Sequence, residues 1–541
     1  MGGSRGGLEG RPGPWRRRLE SVGISLLGAL ALWVGARFES TGPLIGVGFT
    51  LLLMPSLLER WRAPLWGFVP GAMLYAWVIN GTLVQFAWYA PLLVVPLLGW
   101  HYVLMPLMTR TLVLLTRGPA WFVLPLAMGA EEWLRPHLGL GHYSMYKTGT
   151  FLYQWPVVIQ VAEFVGALGL TVLYALLLGA LVEWVRWGID GPGFTSPRRV
   201  MIGGVLAAVV VVGVCGYGVW RLETLEKRPG PRLALVQPSQ DHGFDETPRV
   251  VQVQQSMTAA MVPAGAADLL VWPENAILTP YELSQTYQDV VSWLVRTKEA
   301  PLLFGTQDVG RSGRPAALAV LADGDGEIVG RYRKMVLFPF TERRILPWLE
   351  HVLPAASDAI VDLTRQAWGS AADGRAGEEV ALLSLEVAGE TWRFWTPLCY
   401  DSCFAGYARD AARRGARFFV NLTSEGWNGW GIAHNQMAAN VLRAVENRVG
   451  VARVGNTGVS CFIGPDGRAE SFLVGRRGRL YLDRGVLVER VNVASGGLPF
   501  YSRWGDLLDP FWLLAWVLAI GAGLCARLGS RGRPATDTPV L

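Results

Sequence analysis

Apolar runs near the length of a membrane span recur seven times before residue 225, and an eighth follows near the C-terminus. They cover about 20–38, 42–58, 64–82, 88–108, 114–133, 156–184, 200–221 and 508–526. A chain with this pattern must satisfy its backbone polar groups inside helices wherever it meets lipid. The run at 156–184 is too long for a straight perpendicular span, so we expect it to tilt or to begin at the interface. Charged residues make up 17% of the chain, below the roughly 25% of ordinary soluble domains, and the deficit lies in these runs.

Arginine sets the expected orientation. Clusters at Arg16–Arg18, at Arg60 and Arg62, at Arg110 and Arg117, at Arg186, Arg198 and Arg199, and at Arg527, Arg531 and Arg533 all fall on one side if the span count is right. The positive-inside rule makes that side cytoplasmic and carries the polar middle of the chain to the periplasmic side of a bacterial inner membrane. The formal charge of +6 is therefore read as topology-setting, with no basic and aromatic stripe to suggest nucleic acid. Five cysteines, two of them in apolar spans, make neither a disulfide scaffold nor a metal motif. A Cys399–Cys403 disulfide stays open at this stage.

Residues 231–495 read as a soluble α/β domain between a membrane domain at 1–225 and a closing span with its tail at 505–541. Strand-like runs (Leu233–Val236, Leu269–Trp272, Leu302–Phe304, Ala317–Leu321, Ile328–Tyr332, Thr391–Trp395, Arg417–Asn421, Gly458–Ile463) alternate with helical ones (Gln252–Met261, Thr286–Thr297, Asn435–Asn447). Gly464-Pro465-Asp466-Gly467 is a tight turn, and Gly369 to Gly377 is a polar surface loop.

Three strand ends carry chemistry. Glu274 follows Val-Trp-Pro, Lys334 follows Arg-Tyr-Arg, and Cys399 follows Thr-Pro-Leu. Converging on one pocket, the carboxylate takes the thiol proton, the thiolate attacks a carbonyl and the ammonium holds the oxyanion. Each alone has a plainer reading: a loop carboxylate, a basic strand end, a buried cysteine. Glu342, eight residues after Lys334, is expected to fix the lysine. On the helix before Gly450, Arg443, Glu446 and Asn447 share a face that either orients the helix against the active site or is a solvated salt-bridged surface.

The ordered triad resembles that of the nitrilase (carbon–nitrogen hydrolase) superfamily. With seven spans before it and one after, the chain resembles the bacterial apolipoprotein N-acyltransferase family nearly throughout. The resemblance rests on Gly129-x-x-Glu132-Trp-Leu-Arg135, the Ile159-Gln-Val-Ala run, Phe244-Asp-Glu, Trp-Pro-Glu274, Lys334 with Phe-Pro-Phe-x-Glu342, Cys399-Tyr400, Arg443-Ala-Val-Glu-Asn-Arg448 and Asn456-Thr-Gly-Val-Ser through Gly467. It implies eight transmembrane helices with an αββα nitrilase-like sandwich. The reaction it implies moves an acyl chain from a membrane phospholipid to the α-amino group of a diacylglyceryl-cysteine on an apolipoprotein, by ping-pong through a cysteine thioester. Glu274 would be the base, Cys399 the nucleophile, and Lys334 with a backbone N–H near Tyr400 the oxyanion site. Glu342, Tyr400, Asp401, Phe244, Asn421, Glu425 and Trp427 would line or support the site. No metal or organic cofactor is implied, and the enzyme is expected to act as a monomer in the bilayer. Departures from the family pattern at Phe244, Asp401 and Ser424-Glu425 are expected to touch the substrate cleft more than the triad. Two rival readings stand: a membrane-tethered amidase or nitrilase that resolves the acyl-enzyme with water, and a non-catalytic membrane interaction protein.

Overall fold

Two regimes of side-chain periodicity divide the structure, a computed structural model that describes residues 14–37, 44–57, 101–138, 147–190, 195–240, 247–308, 314–339, 342–344, 349–368, 374–425, 429–475 and 478–531. The apolar part forms helices α1 (Pro14–Arg37), α2 (Leu44–Leu57), α3 (His101–Thr116), α4 (Ala120–Leu134), α5 (Ala162–Asp190) and α6 (Pro197–Thr224). Three stretches are long and apolar enough to cross a membrane: Ala162–Gly188, Pro197–Thr224 and Phe500–Gly529. Val22–Val34 and Val103–Thr116 are shorter apolar helices. The eight expected spans are thus reduced to three that meet this length and composition among the described residues. The span expected at 64–82 and the start of that at 88–108 lie outside them. The helix expected to end at 108 continues to Thr116, so Arg110 lies within it rather than beyond it.

The run expected at 156–184 is not one tilted helix. A single helical turn at Pro156–Ile159 precedes α5, and α5 itself breaks at Gly166, whose φ of +65° is open to glycine but costly for other residues. A Cβ there would also lie 2.2 Å from the Tyr501 ring, so the break and the close approach need the same residue.

The polar middle part is two stacked sheets. The first has the order β12-β1-β2-β3-β4-β5 and the second β11-β10-β9-β8-β7-β6. Their strands are β1 (Lys227–Gln237), β2 (Leu269–Val271), β3 (Leu302–Asp308), β4 (Ala316–Ala322), β5 (Ile328–Arg333), β6 (Leu383–Val387), β7 (Glu390–Trp395), β8 (Phe418–Thr423), β9 (Gly450–Gly455), β10 (Cys461–Ile463), β11 (Ala469–Phe472) and β12 (Gly485–Ala494). Alternation in β1 shows the layering. Leu233 and Leu235 enter the core shared with Phe394, Phe418 and Val451 of the second sheet, while Ala234 and Val236 face Val251, Leu294 and Val295 on the other side. Those last residues belong to α7 (Thr247–Met261) and α8 (Gln285–Lys298). Helices α10 (Ala405–Arg413) and α11 (Gly429–Asn447) cover the second sheet, giving a nitrilase-like α/β sandwich. A further amphipathic helix, α9 (Pro354–Trp368), lies between β5 and β6. The expected strand at Gly458–Ile463 starts only at Cys461, and Gly467 N–H closes the expected turn on Gly464 O at 2.8 Å.

The two parts dock through buried polar groups. Glu446 of α11 accepts the Ala167 N–H at 2.8 Å, the donor freed by the break at Gly166, and pairs with Arg443 at 2.7 Å. Ser502 of the C-terminal helix α12 (Phe500–Arg531) donates to Asn447 Oδ1 at 2.9 Å. Arg448 bonds Glu163 at 2.7 Å and Gln160 at 2.8 Å. Arg409 of α10 holds Tyr501 OH at 2.6 Å, Asp506 at 2.6 Å and Asp509 at 3.0 Å of α12. The Arg443–Glu446–Asn447 face is therefore no solvated surface; it is the seat of the α/β domain on the helices.

Candidate active site

Each triad residue leaves a sheet just where the strand stops. After β2, Pro273 O accepts the Gly305 N–H at 3.2 Å, and a Cβ on Gly305 would lie 2.6 Å from Glu274 Cα. Glycine at 305 is what lets the Glu274 turn close on β3. After β5, Lys334 N–H bonds Ala317 O, and its own carbonyl accepts the Gly377 N–H at 2.7 Å. The later half of the expected surface loop therefore packs against the lysine; Gly369 and its next four residues lie outside the described ones. Beyond β7 the chain bridges to β8 at Leu398 and Leu422, then turns into a 3-10 helix at Cys399–Cys403. Cys399 takes φ +46°, a strained conformation for a non-glycine residue of the kind that collects at functional sites.

Lys334 Nζ donates to Glu274 Oε1 at 2.9 Å and to Glu342 Oε1 at 2.7 Å, and is 1% exposed. Glu274 Oε2 accepts the Ser424 N–H at 3.0 Å. Burial raises Glu274 to about 6, against the pull of Lys334. Burial works to lower the Lys334 ammonium, but Glu274 and Glu342 outweigh it and hold it well above its ordinary value. Burial, reinforced by the neighbouring carboxylate of Glu274, pushes the Cys399 thiol well above the usual range. The arrangement is a neutral thiol facing an ionised base, with a fixed cation beside both. A thiol held this high is not a thiolate by itself and would need a base beside it.

Residues 232–473 match the carbon–nitrogen hydrolase family, a stretch that holds Glu274, Lys334 and Cys399 and excludes the long apolar helices. Curated relatives extend much further. Apolipoprotein N-acyltransferase of Geobacter metallireducens is 27% identical over 519 residues, 91% of this chain and 92% of that protein. That of Agrobacterium fabrum is 27% identical, covering 94% and 96%. That of Chlorobaculum tepidum is 30% identical, covering 61% and 64%. Along most of its length the chain resembles the apolipoprotein N-acyltransferases. A crystal structure of an amidase from Nesterenkonia is 20% identical and covers 50% of this chain and 92% of that one, with a TM-score of 0.36.

Among the residues that the likeness to apolipoprotein N-acyltransferases had marked, the structure separates those at the triad from those behind it. Glu342 is at the triad: its second oxygen accepts the Phe338 N–H at 2.7 Å, which fixes the carboxylate on Lys334. Tyr400 is fully buried, its ring edge-to-face with Phe338 and Phe404 at 5.1 Å. Asp401 is fully buried behind the cysteine turn. It accepts Tyr332 OH at 2.8 Å, Val336 N–H at 2.7 Å and Leu398 N–H at 3.2 Å. It thereby ties the cysteine turn to the segment after Lys334, and burial raises its carboxyl to about 6. Asn421 also works from behind, donating to Pro397 O at 2.9 Å. Glu425 pairs with Arg453 rather than with the triad. Phe244 and Trp427 lie outside the described residues. Sequence reasoning passed over Gln436 and Thr423. Gln436 Nε2 stands 3.4 Å from Cys399 Sγ, and Thr423 Oγ1 stands 3.2 Å from Gln436 Oε1. Gln436 lies seven residues before Arg443 on the same helix, a spacing that marks one face and would have pointed to it.

Cys399 and Cys403 are both free thiols. Cys403 and Tyr400 enter one apolar cluster with Met105, Leu112, Val123 and Ala127 of α3 and α4. The turn that carries the nucleophile candidate is therefore built directly on the helical part. Among the described residues no His, Cys, Asp and Glu cluster is arranged to hold a metal.

Proposed function

We propose that the chain transfers an acyl chain from a membrane phospholipid to the α-amino group of a diacylglyceryl-cysteine on an apolipoprotein, at a Glu274–Lys334–Cys399 triad on the periplasmic side of a bacterial inner membrane. The observation that carries this reading is the position of the cysteine turn, packed through Tyr400 and Cys403 against apolar helices. Two substrates that both carry acyl chains need a nucleophile at the bilayer surface.

The Cys399 S–H breaks and its proton passes to Glu274. The thiolate attacks the ester carbonyl, and the oxyanion forms beside Lys334. The ester C–O bond breaks, Glu274 returns the proton to the leaving alkoxide, and lysophospholipid departs from a thioester. The incoming amine attacks the thioester and gives its proton to Glu274. The C–S bond breaks, the amide leaves, and the thiolate takes the proton back. Lys334 keeps its charge throughout because two carboxylates flank it.

The test mixes the full chain with a phospholipid alone. Lysophospholipid should appear in roughly stoichiometric amount and then stop, with an acyl mass on the Cys399 peptide. A diacylated lipopeptide with a free amine should restart turnover, and an N-acetylated one should not. Cys399→Ser should release nothing, while Cys403→Ala should keep most of the activity. Continuous release of fatty acid without acceptor would mark a lipid hydrolase and overturn the transferase reading.

A further inference from the structure

A thiolate in a buried site needs donors, and the proposed triad supplies its nearest cation to two carboxylates instead of to sulfur. In the resting thiol the S–H has an acceptor within reach, Gln436 Oε1 at 3.6 Å. Once the proton has left, only donors count. The side-chain N–H of Gln436, at 3.4 Å, is aimed at the same sulfur.

That amide is also held from the strand, and its helix is fixed beside it. Thr423 Oγ1 donates to Oε1 at 3.2 Å, which assigns the oxygen to the strand side and leaves the nitrogen for sulfur. One turn further along α11, Asn440 donates to Asn421 Oδ1 at 3.0 Å and to the Gln436 main-chain oxygen at 2.9 Å. Helix positions four apart thus meet strand positions two apart, Gln436 on Thr423 and Asn440 on Asn421. The two rungs lock α11 against the end of β8. The next residue along the chain, Ser424, gives its N–H to Glu274. One strand end therefore positions both the base and the amide.

We infer that Gln436 is a further catalytic residue whose side-chain N–H stabilises the Cys399 thiolate, and that Thr423 is a positioning residue that sets the orientation of the amide. The inference rests on Cys399 being the nucleophile of the proposed function, but it needs no statement about acyl donor or acceptor.

The experiment follows alkylation of Cys399 by iodoacetamide in the full chain in detergent, between pH 6 and 10, by mass spectrometry of the Cys399 peptide; because this thiol is held above the usual range, the pH midpoint is taken as the pH at which the rate reaches a fixed reference value. In this reaction the S–C bond forms and iodide leaves, so the rate reports the thiolate without any lipid. A hydrogen bond to a charged group is worth about 1.5–3 kcal/mol, so Gln436→Ala should shift the pH midpoint upward by about one to two units and slow alkylation about 10- to 100-fold near neutral pH. Gln436→Glu, of nearly the same size, should do no better, because a carboxylate repels the thiolate. Thr423→Val should shift the midpoint in the same direction by less, and Thr423→Ser should match the wild type. A Gln436→Ala profile superimposed on the wild type overturns the inference. So does a lowered melting temperature in Gln436→Ala and Gln436→Glu with the pH midpoint unmoved, which is the outcome for a merely structural residue. A wild-type Cys399 that stays unmodified at every pH overturns it as well. A chain that shows the predicted shifts but transfers no acyl group would sink the proposed function and leave this inference standing.

Discussion

Replacing Lys334 by Met separates two roles that the proposed mechanism gives one ammonium. Nζ sits 2.9 Å from Glu274 and 2.7 Å from Glu342, and all three groups are largely out of water. At an effective dielectric constant of about 20, opposite unit charges at the first distance attract by roughly 6 kcal/mol. At about 1.4 kcal/mol per pK unit, its complete loss would raise Glu274 by roughly four units. Entering water and side-chain relaxation reduce this, and the remaining charge of Glu342 works in the same upward direction. We expect a rise of at least two units from a starting value of about 6. Glu274 must be ionised to accept the thiol proton, so activity is lost as pH falls through its pKa. In the wild type the acid limb of kcat/KM should lie near pH 6; in Lys334→Met it should lie at about pH 8 or above. At pH 7 the protonated base alone costs about 10-fold, and loss of one oxyanion donor adds about 10²- to 10³-fold. The assay is lysophospholipid release against pH from 5 to 10, extrapolated to low donor concentration. Partial recovery at alkaline pH is part of the prediction, since Glu274 regains its charge there while the oxyanion site stays empty of a cation. An acid limb still near 6, or more than a tenth of wild-type activity at pH 7, would refute the reasoning.

Two further outcomes test the frame around the site. Glu446→Ala leaves the Ala167 N–H and the Arg443 guanidinium buried without their partner, which should cost about 3–5 kcal/mol and shorten the half-life of activity at elevated temperature, whereas Glu446→Gln, still able to accept from Ala167, should lose much less. An unchanged half-life for Glu446→Ala would remove the docking role given to this face. For orientation, single cysteines are introduced near Arg198 and within Gly369–Gly377, in a variant without native reactive thiols, and treated from outside with a membrane-impermeant reagent. The loop site should label and the Arg198 site should not; the reverse pattern would overturn the periplasmic placement.

What the sequence disclosed follows from how local each signal is. Glu274, Lys334 and Cys399 could be read because each stands at the end of a short apolar run, and their order restricts which pocket they can share. The α11 face was half legible. Spacing placed Arg443, Glu446 and Asn447 together, but only the break in α5 decides that they face a helix and not water. That break was beyond sequence reasoning, since glycine is common in apolar helices and the demand for Gly166 comes from Tyr501, distant in the chain. The role of Asp401 was not legible, because most of its partners are backbone N–H groups, which leave no trace in residue identity, and Tyr332 is distant in the chain. β12 carried a readable alternation in Gly485–Ala494 yet escaped, and it proves to be the antiparallel edge that closes the first sheet on β1.

The buried charges tie the site to the docking of the two parts. A buried charge costs several kcal/mol unless it is paired, and this chain pairs several of them across elements. Lys334 is neutralised by Glu274 after β2 and by Glu342 after β5, and Arg409 by the first turns of α12; Glu446, paired with Arg443 on its own helix, also takes the N–H freed by the break in α5. The α/β domain therefore cannot lift off the helices without exposing or orphaning several of these groups together. Under the proposed function, the contacts that keep the fold closed also hold Cys399 where lipid-borne substrates would reach it. Changes in the docking residues should accordingly appear first as lost stability of the assembled chain, and changes in Lys334 or Gln436 as altered pH dependence with the assembly intact.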